Sequence, residues 1–267
     1  MKAIIAACAA ALVLVAPVDA AQAQFGGFER TELREGYQMK PDARILVFRP
    51  TVRVGAQTTG GMNEPNVEWT EAAKANLVAA LEAQQRERGA QLVLLTDADE
   101  DGPDGEMIAD YSALFSTVAN TVLTHKMAGG TNRLPTKRDR FDWTLGEGAS
   151  RLKALGGDYG LFFYTFDSYG STGRKVMQVL GAVAGFGYIP SGVHIGYAGL
   201  VDLDTGDLVW LNADVAMGGD VRDAEGAEKR VKQLMEEFPI KAEGVPVPEG
   251  TVTFDPPLPP EEPEGGQ

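Results

Sequence analysis

Three aspartates at alternating positions, Asp97, Asp99 and Asp101, followed by Gly102, form the run in this chain that most resembles a ligand set. Carboxylates so spaced around a tight turn make the first half of a calcium loop, where glycine permits the bend. The second half departs from that pattern. Its twelfth position is Ile108 instead of a bidentate acid, and Pro103 and Asp104 do not continue the alternation. The run therefore reads as a solvated acidic loop, with weak calcium binding as the alternative and no other cofactor implied.

Asp204-Thr205-Gly206 is the tripeptide of aspartic proteases, which need two carboxylates sharing a proton. Here it occurs between two apolar runs, so it reads as a hairpin turn with Gly206 in the left-handed position. His125 and His194 lie far apart, and neither has a second ligand at metal-binding spacing; both read as structural or surface residues. Ser168, Ser171 and Ser191 sit near glycines, but none lies in G-x-S-x-G. Gly181, Gly185 and Gly187 do not follow the dinucleotide-binding order. No catalytic residue is expected. A hydrolase with an unfamiliar site would have to draw on Asp97, Asp99, Asp101, Asp202 and His194.

Two stretches suggest contact instead of catalysis. Lys126, Arg133, Lys137, Arg138 and Arg140 form a basic cluster that suits an anionic partner, an acidic patch of a second copy, or plain solvation. From Lys175 to Ile189 the chain is apolar almost all round. Val176, Val179, Leu180, Val183 and Phe186 are interleaved with Gly181, Ala182, Ala184 and Gly185. Such a run wants burial in a core, in an interface between proteins or in lipid, and it is shorter than a membrane span. Lys175 and those five apolar residues are the candidate interaction site.

The elements that must position these residues follow from periodicity. Ile45 to Phe48 and Gln91 to Leu95 are short apolar runs that read as buried strands. Between them, Trp69, Ala73, Leu77 and Leu81 share one helical face after a cap at Asn66 or Thr70, and Gly89 ends the helix. Met107, Ile108, Tyr111, Leu114, Phe115, Val118 and Val122 trace a second amphipathic helix. A third runs from Leu145 to Leu155. Tyr159–Phe166, Val193–Asp202 and Leu208–Ala213 read as strands. Ala227, Val231, Leu234, Met235 and Phe238 define a last helix that Pro239 stops. Thr51 to Asn66, with its glycines and Pro65, reads as a long loop. The alternation gives an α/β (α+β) fold: a mixed β-sheet of about five strands flanked by helices, in a single domain over 44–240.

Both ends lie outside that domain. Lys2, the apolar run Ala3 to Val15, and Ala21-Gln22-Ala23 form a secretory signal over 1–23. Export to the periplasm or beyond follows. The alternative is a lipid anchor on Cys8, the single cysteine, which Ile5-Ala6-Ala7 precedes. Residues 24–43 read as a loose arm. Residues 241–267 are rich in proline and glutamate, a composition that reads as a disordered tail. The formal net charge of −14 argues against nucleic acid as a partner.

Ile45-Leu46-Val47-Phe48-Arg49-Pro50 leads into Trp69-Thr70. With Asp158 to Phe162, the hairpin Val201 to Trp210 and Gly219-Asp220-Val221-Arg222, these stretches resemble a diffuse group of envelope α/β proteins. The group includes the curli-secretion channel lipoproteins and the amino-terminal domain of TolB. The resemblance implies a small sheet packed on helices and a role in envelope assembly or secretion through protein contacts or self-association. It carries over no catalytic residues. The apolar run at 175–189 lacks the alternation of barrel strands, which speaks against a pore.

Overall fold

The computed structural model describes residues 29–40, 42–60, 62–88, 92–127, 133–137, 140–171 and 192–239. The signal, Cys8, the apolar run 175–189, Arg138 and the tail lie outside them. The described chain forms a three-layer sandwich, with a mixed sheet between helices. In chain order the strands are β1 (Glu29–Leu33), β2 (Ile45–Val47), β3 (Thr51–Gln57), β4 (Asn63–Pro65), β5 (Leu92–Leu94), β6 (Tyr159–Gly170), β7 (Gly192–Asp202) and β8 (Leu208–Asp214). The helices are α1 (Val67–Arg88), a single turn α2 (Asp97–Glu100), α3 (Gly105–Val122) and α4 (Ala224–Leu234), with a 3-10 helix at Glu147–Leu155. A π-helical turn, Leu123–Met127, continues α3 and contains His125.

The sheet order is β1-β8-β7-β6-β2-β5. Strand β6 is its spine. Its first half pairs in parallel with β2 and its second half in parallel with β3, while β7 runs antiparallel along almost its whole length. Strands β2 and β5 are parallel, joined by α1 as the crossover helix. The late hairpin β7–β8 is antiparallel, and its turn places Gly206 at φ +75°.

Side chains on successive strand residues point to opposite faces, and here both faces are covered. Ile45, Val47, Leu161, Phe163 and Leu200 pack against Ala73, Leu77 and Leu81 of α1 and Val231 and Leu234 of α4. Leu46, Phe48, Phe162 and Tyr197 pack against Ile108, Phe115, Ala119 and Val122 of α3. Burial on both sides is why these strands read as unbroken apolar runs. Phe48, Phe162 and Phe115 stack in a column, with ring centroids 4.0 and 4.7 Å apart.

Three sequence readings are corrected. The arm is not loose throughout: Glu29–Leu33 pairs residue for residue with β8 as an edge strand. Its polar composition hides this, because partner and register, not apolar content, define an edge. Thr51 to Asn66 is not one loop. Thr51–Gln57 forms seven pairs with β6, and Asn63–Pro65 folds back on β3. Among the described residues the sheet therefore has eight strands rather than about five. The acidic stretch after Leu95 is not a loop from end to end but carries the helical turn α2. Asn66 does cap α1, its side-chain oxygen accepting from the Trp69 N–H at 2.9 Å.

Candidate functional site

The densest arrangement of chemistry-bearing side chains lies on the second half of β6. Thr165, Asp167 and Tyr169 alternate on the face covered by α1 and α4. The antiparallel register sets His194 of β7 directly opposite Asp167. Asp223 caps α4, accepting from the Gly226 N–H at 2.7 Å. Counting from that cap, Arg230 falls on the buried stripe with Ala227, Val231 and Leu234.

Arg230 and Asp167 are both fully buried. The guanidinium grips the carboxylate at two points, Nη1 to Oδ2 and Nη2 to Oδ1, each 3.0 Å. Nη1 also donates to the Thr165 hydroxyl at 2.5 Å. His194 Nδ1 lies 2.5 Å from Asp167 Oδ1, and its side chain is 28 % exposed. The carboxylate can only accept, so Nδ1 carries the hydrogen. Burying a lone carboxylate would cost several kcal/mol or more, and the forked pairing with Arg230 offsets that cost.

Tyr169 extends the network toward the surface. Its ring lies 5.0 Å from the His194 ring, and its oxygen accepts from the Val221 N–H at 3.1 Å. Burial pushes its hydroxyl pKa upward. The Arg222 guanidinium sits between the faces of Tyr169 and Trp69, 3.8 and 4.5 Å from the ring centroids. Asp220 clamps the same guanidinium, with Nε to Oδ1 at 2.8 Å. Hydrogen bonding from Arg222 holds the Asp220 carboxyl down at about 2.

The Asp–His geometry orients an imidazole, as a general base requires. On β6 the Thr165 hydroxyl shares that face but is engaged by Arg230 and Asp167, and Ser168, next along the strand from Asp167, points to the opposite side of the sheet. The hydrolase residues proposed from sequence are not assembled. His194 and Asp202 mark the two ends of β7, about 27 Å apart at 3.4 Å per residue. Asp202 accepts from the Tyr37 hydroxyl at 2.7 Å and the Asp204 N–H at 2.8 Å. Asp204, in the turn, is bound by Lys40 and Lys153, which hold its carboxyl at about 2, Lys153 foremost.

The three alternating aspartates also diverge. Asp97 pairs with Arg49 at 2.7 Å. Asp99 accepts from the Thr96 hydroxyl at 2.6 Å and its N–H at 2.7 Å, and these bonds, the hydroxyl first, lower its pKa. Asp101 ends α2. Among the described residues no group of three or more His, Cys, Asp and Glu side chains is placed to hold a metal ion.

Sequence reasoning missed Asp167, Arg230, Tyr169, Arg222 and Trp69 as a unit. Two signals pointed to it: a carboxylate inside an otherwise apolar strand, and an arginine on the apolar stripe of the last helix.

No protein-family model matches the chain, and no curated protein matches it in sequence. Matches among solved structures are of low similarity, and two serve as examples. One is the PelC dodecamer from Paraburkholderia phytofirmans, 11 % identical, covering 78 % of this chain and 97 % of that one, with a TM-score of 0.32. The other is the lipoprotein GNA1162 from Neisseria meningitidis, 15 % identical, covering 73 % and 99 %, with a TM-score of 0.27.

Proposed function

We propose that this is an exported, non-enzymatic protein of the bacterial envelope that acts through protein contacts, as an assembly or secretion accessory. One observation carries the reading. The hairpin β6–β7 joins Ser171 to Gly192 through twenty residues that include the apolar run 175–189, and its last strand pair is Tyr169–Gly192. A run so poor in charge, inserted between adjacent strand ends, is suited to contact. The groups able to do chemistry are committed elsewhere: Asp167 to Arg230 and His194, Asp97 to Arg49, Asp99 to Thr96 and Asp202 to Tyr37. No cofactor belongs to this reading. The periplasm follows from the signal-like amino terminus, with lipidation at Cys8 as the alternative route to the same compartment.

The test is affinity capture from an envelope fraction together with light scattering, on the wild type and on a Val179→Asp/Phe186→Asp variant. A partner or oligomer lost in the variant supports the reading. A wild type with neither partner nor oligomer overturns it. Membrane contact through the same residues is the second reading, favoured by their length and apolarity. Flotation of the wild type with liposomes, abolished in the variant, would select it. Among the described residues no helix is long and apolar enough to cross a membrane.

A further inference from the structure

A groove opens where strand β3 runs beside helix α3. Thr51 and Arg53 of β3 pair in register with Tyr164 and Phe166 of β6, so these four side chains share the face that α3 covers. From α3 the groove takes Ala109, Ser112, Ala113, Ser116 and Asn120, a stripe of small or polar residues at helical spacing. It encloses about 440 Å³, inside the range of about 300–1,000 Å³ for small-ligand sites. Toward α2 it continues as a second cleft of about 360 Å³, which shares Thr51, Ala109 and Ser112 with the first.

Arg53 is exposed and makes no hydrogen bond or ion pair among the described residues. Arg49, in the adjoining cleft, differs, because Asp97 and Glu100 already hold it. The floor beneath Arg53 is rigid. Tyr197 is fully buried, and its ring stacks on that of Tyr164, with centroids 4.6 Å apart and planes 9° apart. The Tyr197 hydroxyl accepts from Asn120 Nδ2 at 3.3 Å and also hydrogen-bonds Ser116. These bonds orient the Asn120 amide and leave its Oδ1 as an unused acceptor. The Tyr164 hydroxyl has no hydrogen-bond partner among the described residues. Burial raises the pKa of both phenols, and the Arg53 charge, within reach of both, opposes that rise. Ser112 and Thr117 spend their hydroxyl protons on the carbonyls of Ile108 and Ala113, at 2.8 and 3.0 Å. The donors left for a ligand are therefore Arg53 and Tyr164, and the acceptor is Asn120.

We propose that the β3–α3 groove binds the carboxyl-terminal residue of a peptide chain. A carboxylate is planar and matches the fork of the Arg53 guanidinium, with the Tyr164 hydroxyl as second donor. One unpaired arginine neutralises one negative charge. In a protein of net charge −14 that suits a carboxylate and leaves a phosphate dianion half uncompensated. The main-chain N–H of the same terminal residue is the donor that Asn120 Oδ1 lacks. The small side chains of Ala109 and Ala113 let a backbone approach closely, and the adjoining cleft gives room to the residues upstream. The inference rests on the reading that the protein works through protein contacts, and it states which end of a partner is held.

The test titrates the whole protein with acetyl-tetra-alanine carrying a free carboxyl group. Nitrogen-15 NMR reads the Arg53 Nε–H signal, identified by its loss in Arg53→Gln, and the amides of Ser116 and Asn120. Saturation with a Kd of about 1 mM or tighter is expected. Arg53→Gln should weaken binding at least about tenfold, as for loss of a bond to a charged group, and Tyr164→Phe about threefold. Unchanged thermal midpoints confirm folding. The carboxyl-amidated peptide and inorganic phosphate are expected to leave the signals in place, and N-acetylalanine to bind more weakly than the peptide. No saturation, equal binding of the amidated peptide, phosphate shifts as large as the peptide's, or indifference to Arg53→Gln overturns the site. N-acetylalanine binding as tightly as the peptide overturns the peptide as its occupant. A failed titration beside an envelope capture that still returns a partner overturns the groove alone and leaves the protein-contact function standing. Capture that returns neither partner nor oligomer overturns that function.

Discussion

Asp167 is held by three side chains, Arg230, His194 and Thr165, and Asp204 by two, Lys40 and Lys153, at opposite ends of the β6–β7 hairpin and in unlike surroundings. Asp167 is fully buried against Arg230 and touches solvent only through His194. Asp204 sits in an exposed turn between Lys40 and Lys153, its side chain 43 % exposed. Around Asp204, water can replace either lysine, and salt screens both. Around Asp167 no replacement exists. The contrast teaches that burial of the partners, more than their number, decides what an ion pair holds together.

The largest effect that can break this comparison is expected from Arg230→Met. It strands the Asp167 carboxylate in the core and should cost about 3–5 kcal/mol, read from the urea midpoint. Adding Asp167→Leu should recover most of that loss, because it removes the stranded charge. A single variant as stable as wild type would mean that the buried pair does not anchor the hairpin. His194→Phe keeps the ring and removes the donor to Asp167. It is expected to cost about 1.5 kcal/mol, the low end for a bond to a charged group, and so to rank well below Arg230→Met.

A smaller effect is pH-dependent. Asp220 is held at about 2 against an ordinary 3.8. A depressed carboxyl contributes stability that is complete above its unfolded pKa and is lost as pH falls through the folded one. The contribution should therefore be intact at pH 5 and disappear between about pH 4 and pH 2, and Asp220→Asn should flatten that part of the acid-unfolding curve. An unchanged slope would detach Asp220 from the Arg222 clamp. The smallest effect is expected from Asp204→Asn, about 0–1 kcal/mol, as for other exposed ion pairs. A loss as large as that of Arg230→Met would erase the distinction between the two ends.

The same contrast explains what could be read from the sequence. Ile45–Val47 and Leu208–Ala213 announce themselves because both faces are dry, Leu92–Leu94 because it is an unbroken apolar run, and α3 because Ile108, Tyr111, Phe115, Val118 and Val122 repeat at helical spacing. Glu29–Leu33 and Thr51–Gln57 do not, since their strand character comes from pairing with β8 and β6, residues more than a hundred positions away. The Asp167 network was illegible for a related reason. His194 looked isolated because its partners come from β6 and α4, and only the register of β6 on β7 brings them together.

The double role of β6 has a kinetic consequence. Apart from the short pairings with β5 and β4, residues 45–57 find their sheet partner in residues 159–170. A chain appearing amino end first therefore carries β2 and β3 with a long stretch of β6 edge still missing, and closing that loop is slow compared with forming a local hairpin. Until Gly170 emerges, the central sheet cannot close. The fold thus stays open through roughly the first two thirds of its length, the condition in which a polypeptide can still be threaded through a narrow channel.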